Sequence, residues 1–244
     1  MILDLDIGNS RVKWRTSHAT GEVISHGACL RNNAQWIERL ALKNIDRVRI
    51  SNVAGAVTKD LLQNFFTEQF EITAEFASSK PEVMGVKNGY VEPGRLGVDR
   101  WLAVLAAFDR SDSSCCVVDC GSAITVDYVA SDGTHKGGVI APGIELMRRA
   151  LLADTQEIEI RSDQVDTEPS VPAAHTTEAA VELVLKYMEA GLVEIACNRY
   201  EVMFNEVPEL FLTGGDAQII SDLIVHEHQV IPHLVLDGLA LAIP

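Results

Sequence analysis

The segment LDLDIGNSRVKW, residues 3–14, has the pattern of a β-hairpin with an unusually polar turn. An apolar run ends at Asp6, residues 8–10 are Gly-Asn-Ser, and charged and apolar residues alternate from Arg11 to Trp14. Glycine, asparagine and serine favour turns, and the alternation is typical of a strand. A turn that carries an aspartate, a hydroxyl and two cations has more charge than a hairpin requires. We therefore expect this turn to have a function.

A second stretch repeats the pattern. VDCGSA at 118–123 shares with LDIGNS at 5–10 an apolar residue, an aspartate, any residue, a glycine and a small polar residue. One such turn is common, because aspartate and glycine are turn formers. Two of them, each opening a similar series of strands and helices, indicate an internal duplication.

The patterns around both hairpins predict similar elements in the two halves, and the polar RSDSS at 110–114 marks a junction. We therefore predict an N-terminal lobe over 1–112 and a C-terminal lobe over 113–244. Periodicity and turn residues predict the strands and helices. The predicted strands cover 2–6, 11–15, 22–27, 47–51, a run to Asp119, 123–129, 136–141 and 209–212. The predicted helices cover 33–42, 56–69, 99–109, 143–153, 177–203, 215–224 and 234–242, with 79–98 irregular and 154–175 loop-like.

Composition narrows the classes of partner. The 244 residues carry 20 basic and 35 acidic side chains, a formal net charge of -15, which disfavours nucleic acid and anionic membranes. No basic leader or 18-residue apolar stretch is present, so we expect a cytoplasmic protein. Three of the five cysteines, Cys115, Cys116 and Cys120, crowd one predicted strand without a second Cys/His pair at zinc spacing. We expect them to be buried reduced thiols.

Several common active-site motifs are missing from the sequence. It has no P-loop, no dinucleotide-binding GxGxxG, no GxSxG elbow and no HExxH. What remains is LTGGDA at 212–217, a strand that runs through Gly214-Gly215 into a helix. Such glycines allow a ligand phosphate or another backbone to approach closely, but they also suit an ordinary tight turn. Both interpretations stay open.

The two Asp-x-Gly hairpins and the Gly-Gly turn together resemble the actin, Hsp70 and sugar-kinase superfamily. The resemblance implies an α/β fold of two duplicated RNase H-like lobes, with ATP bound in the cleft between them. In such proteins, backbone N–H groups of the hairpin loops hold the phosphates.

This resemblance gives the first turn a role. Asp6 would lie where a metal or its water shell meets the phosphates. Gly8 would let the backbone approach the phosphates, and Lys13 would donate hydrogen bonds to them. For Lys13 the alternative is a solvated strand lysine. The ATP-binding stretch that the resemblance implies comprises Asp6, Ile7, Gly8, Asn9, Ser10, Arg11, Val12 and Lys13.

Longer stretches narrow the resemblance to one family. NGYVEPGRLGVDRW at 88–101, VVDCGSAITVD at 117–127 and GGVIAPGIELMRRAL at 137–151 closely resemble the type III pantothenate kinases. The likeness runs from residue 2 to the LVLDGLALA ending, and its specificity lies in the joint order of the motifs. One departure is Ser122, where the family usually has threonine; the hydroxyl is kept.

The resemblance implies ATP-dependent phosphorylation of pantothenate to 4'-phosphopantothenate, the first step of coenzyme A biosynthesis. It also implies a cytoplasmic homodimer that depends on a monovalent cation, potassium or ammonium, and uses ATP with Mg²⁺. Two alternatives remain: a non-catalytic nucleotide-binding accessory protein, and a kinase or phosphatase of the same superfamily with another small substrate. Joint retention of Tyr90, Asp99 and Arg100 argues against the first.

The resemblance also assigns the substrate site. Asp99 matches the catalytic base, although an aspartate there also suits the N-cap of a helix starting at Arg100. Gly97, Val98, Asp99 and Arg100 match a substrate-binding tetrapeptide, and Tyr90 matches a second substrate contact. A guanidinium can bind a substrate carboxylate through two hydrogen bonds. The alternatives are a surface salt bridge for Arg100 and a packing role for Tyr90.

The remaining assignments lie in the second half. Asp119 matches the family's monovalent-cation ligand, and a carboxylate is the hard oxygen donor that such ions prefer. Ser122 matches an ATP contact. Thr177 in HTTEAAV matches a threonine that reaches the neighbouring subunit's pantothenate, although Thr176 or Thr177 also suits a helix cap. The helix that follows has an apolar stripe that suits either a dimer interface or a core. The stripe consists of Val181, Val184, Leu185, Met188 and Leu192.

Overall fold

The computed structural model describes residues 1–31, 36–37, 44–154 and 173–244. The chain forms two compact units, and neither is continuous in sequence. The first unit comprises Met1–Ser113, Val129–Gly137 and His233–Pro244, and the second comprises Ser114–Tyr128 and Gly138–Pro232. The units therefore differ from the predicted lobes 1–112 and 113–244, because two later segments pack with the first unit.

A five-stranded sheet forms the centre of the first unit, in the order β3-β2-β1-β4-β5. The hairpin strands are antiparallel, whereas β4 and β5 run parallel to β1 and to β4. Leu3, Leu5 and Ile7 of β1 are fully buried, as expected for a central strand. The strands are β1 (Ile2–Ile7), β2 (Arg11–Ser17), β3 (Val23–Leu30), β4 (Arg47–Asn52) and β5 (Glu75–Phe76), and a separate small hairpin follows with β6 (Glu82–Val83) and β7 (Val86–Lys87).

The second sheet has the same topological order as the first, β10-β9-β8-β11-β12, as a duplication predicts. Its β11 runs parallel to both β8 and β12. The expectation of an α/β fold built on two similar sheets is confirmed. The strands are β8 (Cys115–Cys120), β9 (Ala123–Val129), β10 (His135–Pro142), β11 (Glu209–Gly214) and β12 (His228–Val230).

Six α-helices are present in the described residues, together with a short 3-10 helix at Pro93–Arg95. None of them has the length and apolar character that a membrane-spanning helix requires. Most bounds agree with prediction to within one or two residues; α5 is shorter than the predicted 215–224. The helices are α1 (Ala56–Phe70), α2 (Val98–Arg110), α3 (Ile144–Asp154), α4 (Thr177–Phe204), α5 (Ala217–Ser221) and α6 (Leu234–Ala242).

Two predicted segments lie largely outside the described residues. Of the predicted helix 33–42 the structure describes only Trp36 and Ile37, which are buried in the core of the first unit. The predicted loop 154–175 has residues 155–172 outside the described ranges.

The C-terminal helix α6 packs against α2 within the first unit. A Cβ atom at Gly238 would lie 1.9 Å from the backbone oxygen of Leu102, so the two helices come together at a position where only glycine fits. This contact gives the glycine of LVLDGLALA a structural reason.

A buried ion cluster also ties α6 to the first sheet. Asp4 is fully buried and accepts hydrogen bonds from Arg15 and from Arg49, whose Nε lies 2.7 Å from Asp4 Oδ1. The two guanidiniums also bind the C-terminal segment. Arg15 donates a hydrogen bond to the Leu236 carbonyl in α6, and Arg49 donates one to the carbonyl of Ile243, the residue after α6. Asp4 is thus the central charge that these two cations share.

None of the five cysteines, all of which the structure describes, forms a disulfide, and all but Cys29 are buried. Burial raises the pKa of Cys115 to about 12, so that thiol stays protonated. The Sγ atoms of Cys116 and Cys197 lie 3.9 Å apart in the core of the second unit. The prediction of buried reduced thiols is confirmed for Cys115, Cys116 and Cys120.

Candidate active site

The first polar turn joins β1 to β2. Asp6 lies directly opposite Lys13 in the antiparallel register, so the two side chains share one face of the sheet. The Gly8 N–H donates to the Arg11 carbonyl at 3.0 Å and closes the turn. Residues 9–11 are exposed. The predicted hairpin therefore presents exposed polar turn residues beside an aspartate and a lysine.

Arg31, the residue after β3, binds two backbone carbonyl groups of this turn. The Nε of Arg31 donates to the Asn9 carbonyl at 3.1 Å, and its backbone N–H donates to the Ser10 carbonyl at 2.9 Å. Ile7 and Val12 are fully buried in the core. Any part that these two apolar residues take in ATP binding must come from their backbone.

The second polar turn joins β8 to β9. The Gly121 N–H donates to the Ala123 carbonyl at 3.1 Å, and the Ser122 side chain is exposed. Asp119 is half-buried near the end of β8. The arrangement repeats that of the first hairpin, with an aspartate just before a tight turn.

The Gly-Gly motif lies at the end of β11, which pairs with β8. Gly214 has a φ of 99°, and a Cβ there would lie 2.2 Å from the Cys120 carbonyl oxygen. This close backbone approach accounts for the first glycine. The preceding Thr213 lies opposite Asp119 in the register. Its hydroxyl oxygen is buried and has no hydrogen-bond partner among the residues that the structure describes.

Asp99 lies in the first turn of α2. The helix begins at Val98 with Gly97 at the N-cap position, so the alternative role of Asp99 as the N-cap is wrong. The Asp99 Oδ1 accepts a hydrogen bond from the Arg100 N–H at 2.8 Å. The positive end of the helix dipole favours a carboxylate in this turn. Asp99 is half-buried, so its carboxylate is held at the helix start without being enclosed in the core.

Arg100 and Tyr90 form a pair beside that carboxylate. The Arg100 Nη1 donates to the Tyr90 hydroxyl at 2.9 Å, and the guanidinium lies 5.7 Å from the ring centroid. Arginine only donates hydrogen bonds, so the tyrosine oxygen is the acceptor. Arg100 is 6% exposed. The surface salt bridge that was the alternative for Arg100 is therefore wrong.

His135 is part of the same cluster, and the sequence reasoning missed it. Its ring stacks on Tyr90 with centroids 6.1 Å apart, and its Nδ1 accepts a long hydrogen bond of 3.4 Å from the Gly89 N–H. His135 is buried at the start of β10, 45 positions beyond Tyr90. No local pattern connects such distant residues.

The start of α4 separates the two threonines. The Thr176 side chain accepts from the Ala179 N–H at 3.1 Å and caps the helix. Thr177 is the first helical residue and is exposed. The capping role therefore belongs to Thr176.

Glu189 of α4 is a second residue that the sequence reasoning missed. It is fully buried, and its Oε1 accepts from the Ile144 N–H at 2.9 Å. Burial raises the pKa of Glu189 to about 7; the Ile144 hydrogen bond lowers it, and the charge of Asp216 raises it further. A glutamate on a helix gives no sequence signal of burial.

The candidate residues fall into separate groups within the units. In the first unit, one group is the β1–β2 hairpin from Asp6 to Lys13. A second group surrounds the start of α2 and contains Tyr90, Gly97, Val98, Asp99 and Arg100. In the second unit, Asp119 and Ser122 lie at one hairpin, and Thr177 lies at the start of α4.

Two solved structures show the fold class. A Sinorhizobium meliloti protein assigned as a 2-dehydro-3-deoxygalactonokinase matches with a TM-score of 0.57 at 11% identity, over 99% of this chain and 98% of its own. A Campylobacter jejuni protein assigned to the Baf family of transcriptional activators matches with a TM-score of 0.57 at 21% identity, over 98% and 95%. At these identities the likeness concerns fold alone. The chain therefore shares its two-sheet α/β fold with these two proteins.

Sequence relatives identify the family. The model of the type III pantothenate kinase family matches residues 2–199. A type III pantothenate kinase from Pseudomonas putida strain F1 is 36% identical over 250 residues, which cover 100% of this chain and 99% of the relative. One from Chromohalobacter salexigens is 38% identical over 256 residues, 100% of this chain and 88% of the relative. The chain belongs to the type III pantothenate kinase family, and its reaction is the ATP-dependent phosphorylation of pantothenate in coenzyme A biosynthesis.

Proposed function

We propose that Asp99 is the base of the phosphoryl transfer. The observation that carries this proposal is the half-buried carboxylate in the first turn of α2, beside the Arg100–Tyr90 pair. The primary hydroxyl oxygen of pantothenate attacks the γ-phosphorus of ATP, and the bond from that phosphorus to the bridging oxygen breaks, releasing ADP. The hydroxyl proton passes to the Asp99 carboxylate.

Arg100 and Tyr90 bind and orient pantothenate in this proposal. The guanidinium is nearly buried, and its bond to the Tyr90 hydroxyl fixes it in one orientation. A fixed guanidinium is a strong partner for a carboxylate, and pantothenate carries one. Gly97 and Val98 shape the approach to the helix start.

The two hairpins bind ATP in this proposal. The backbone of the turn between Asp6 and Lys13 meets the phosphates, and the Ser122 hydroxyl is a further contact. Lys13 supplies a positive charge near the phosphates. Asp6 is a hard oxygen donor with 9% exposure at the end of β1, which fits a magnesium ion held directly or through water. Such an ion neutralises phosphate charge when it is bound.

The donor set near Asp119 fits a monovalent cation. Asp119 supplies a carboxylate, and the adjacent Thr213 supplies the buried hydroxyl that has no partner within the described part of the chain. Potassium and ammonium both favour oxygen donors, and a buried hydroxyl without a partner is costly unless something fills its place. We propose that Asp119, with Thr213 beside it, holds the ion, which stabilises phosphate charge when bound.

The proposed working unit is a homodimer in the cytoplasm. The predicted stripe of α4 divides: Val181 and Leu185 are buried in the core of the second unit, whereas Val184 and Met188 are exposed. The exposed residues continue along the helix at four- and seven-residue intervals, a pattern typical of a helix that packs on another helix. These exposed residues are Val184, Met188, Ile195 and Val202, whereas Leu192 of the predicted stripe packs against the core. Free thiols agree with a reducing compartment.

Mixing two inactive variants tests the shared pocket. We propose that Thr177, which lies at the head of this exposed stripe, reaches the partner's pantothenate. Asp99→Asn and Thr177→Phe should each be inactive alone. A mixed dimer has one pocket with both lesions and one with neither, so an equal mixture should recover about a quarter of wild-type ADP release.

The control for this experiment is Thr177→Ser, which keeps the hydroxyl and should stay active alone. Thr176 continues to cap α4 in both Thr177 variants, so neither is expected to unfold the helix. If native mass spectrometry shows mixed dimers but mixing restores no activity, Thr177 is not part of a shared pocket.

A further inference from the structure

The buried carboxyl group of Glu189 is energetically unfavourable for the second unit, and its packing there does not explain it. The Glu189 side chain is fully buried, on a stretch of α4 whose Ala190 and Val193 belong to the apolar core of this unit. One carboxyl oxygen accepts from the Ile144 N–H, while Oε2 has no hydrogen-bond partner among the described residues. Burying a carboxyl with an unsatisfied oxygen is unfavourable. An apolar residue would fill this place at lower cost.

Among the described residues, the Glu189 carboxyl makes its one hydrogen bond at the start of α3. Ile144 is the first residue of that helix, where backbone N–H groups lack partners within the helix. The preceding residue, Gly143, donates its N–H to the Ser122 carbonyl at 3.1 Å. A Cβ at Gly143 would lie 2.1 Å from the Gly121 carbonyl oxygen, so the backbone there packs directly on the second hairpin turn.

We propose that Glu189 is a positioning residue for ATP binding, acting through the start of α3 on the Gly121–Ser122 turn. Glu189 fixes the Ile144 amide, and the Gly143 backbone transmits that position to the turn, because close-packed interiors pass displacements on. The inference rests on the proposed contact of Ser122 with ATP. Glu189 itself does not touch the nucleotide in this account.

A charged group next to α5 acts on Glu189. This group is Asp216, which precedes α5. On α3 and α4, Arg148 is engaged with Glu145 and Glu182. Since the pKa of Glu189 is raised to about 7, its ionisation destabilises the folded protein. This destabilisation is absent below about pH 4.5, grows as the pH rises and is complete above about pH 7.

Two substitutions separate positioning from stability. Glu189→Gln keeps an acceptor oxygen at nearly the same volume, whereas Glu189→Leu removes the acceptor. In the same ADP-release assay, Glu189→Leu should raise KM for ATP about fivefold, because a change of this size corresponds to the loss of one hydrogen bond. KM for pantothenate should stay within about twofold of wild type. Glu189→Gln should leave both KM values near wild type. Its melting temperature should exceed that of wild type increasingly from pH 5 to pH 8.

A matched control is Glu182→Leu, which breaks the ion pair between α4 and Arg148 of α3 without touching Ile144. This variant should leave KM for ATP unchanged. If Glu189→Leu raises both KM values alike, or if Glu182→Leu reproduces its effect, Glu189 is a structural residue only and the inference is wrong.

Two further readouts do not depend on turnover. Fluorescent ADP should bind Glu189→Leu about fivefold more weakly than wild type. This binding measurement tests the inference even if wild type does not turn over pantothenate. Such a lack of turnover would contradict the proposed reaction, not the role of Glu189. In wild type, ADP binding should slow hydrogen exchange at the Ile144 amide. Unchanged hydrogen exchange at the Ile144 amide would overturn the inference. Because this measurement uses wild type, it decides even if Glu189→Leu does not fold.

Discussion

Replacing Asp99 with asparagine is expected to lower kcat by about 100-fold or more without unfolding the protein. The asparagine Oδ1 can still accept the hydrogen bond from the Arg100 N–H, and Gly97 still occupies the N-cap position, so the start of α2 is kept. The amide cannot take the hydroxyl proton of pantothenate, and general-base catalysis contributes about 100- to 10,000-fold. Steady-state ADP release and the melting temperature measure the two effects.

The control for this substitution is Asp109→Asn in the last turn of the same helix. Asp109 is exposed and has the same charge, so its loss should leave kcat within about twofold. KM for ATP should stay near wild type in both variants. Near-normal turnover of Asp99→Asn would leave that carboxylate with a structural role only.

The second large effect is on stability. Asp4→Asn should lower the free energy of unfolding by about 3–5 kcal/mol, because it removes the central anion of a buried cluster. Arg15 and Arg49 would then share a buried site with no carboxylate at Asp4. Arg15 keeps a second partner in Asp237, whereas Arg49 keeps only its bond to the Ile243 carbonyl among the contacts described above. Urea unfolding followed by circular dichroism measures the change.

Asp46→Asn is the matched control. Asp46 pairs with the N-terminal ammonium at the surface, and its side chain is 82% exposed. Exposed ion pairs of this kind contribute at most about 1 kcal/mol. A loss of less than about 1 kcal/mol for Asp4→Asn would show that the cluster does not hold α6 to the sheet.

The hairpins and long helices were predictable because their signals are local. The alternation from Arg11 to Trp14 and the turn before it predicted β1 and β2, and the repeated pattern predicted β8 and β9. The two- and three-residue strands β5 and β12 were missed, because segments so short have no periodicity. The place of α6 in the first unit was also missed. It depends on the approach of Gly238 to Leu102, a contact between distant residues.

The candidate site shows the same division. Tyr90 and Arg100 were expected from motif order, whereas the ring of His135 beneath Tyr90 joins segments with no shared pattern. Sequence placed Thr176 and Thr177 equally well as a cap, and backbone geometry separated them. Glu189 was missed because charge predicts exposure, and its burial depends on the packing of α3 against α4. The roles of these residues in catalysis stay proposals.

The most direct test of the account measures ADP release by the purified protein, with ATP and pantothenate, in potassium and in sodium. We expect ADP to form only when pantothenate is present, in equal amounts with 4'-phosphopantothenate detected by mass spectrometry. Potassium or ammonium should support the rate, and sodium should not. Folded protein that releases no ADP above background with any common nucleotide would contradict the account and favour a non-catalytic nucleotide-binding protein.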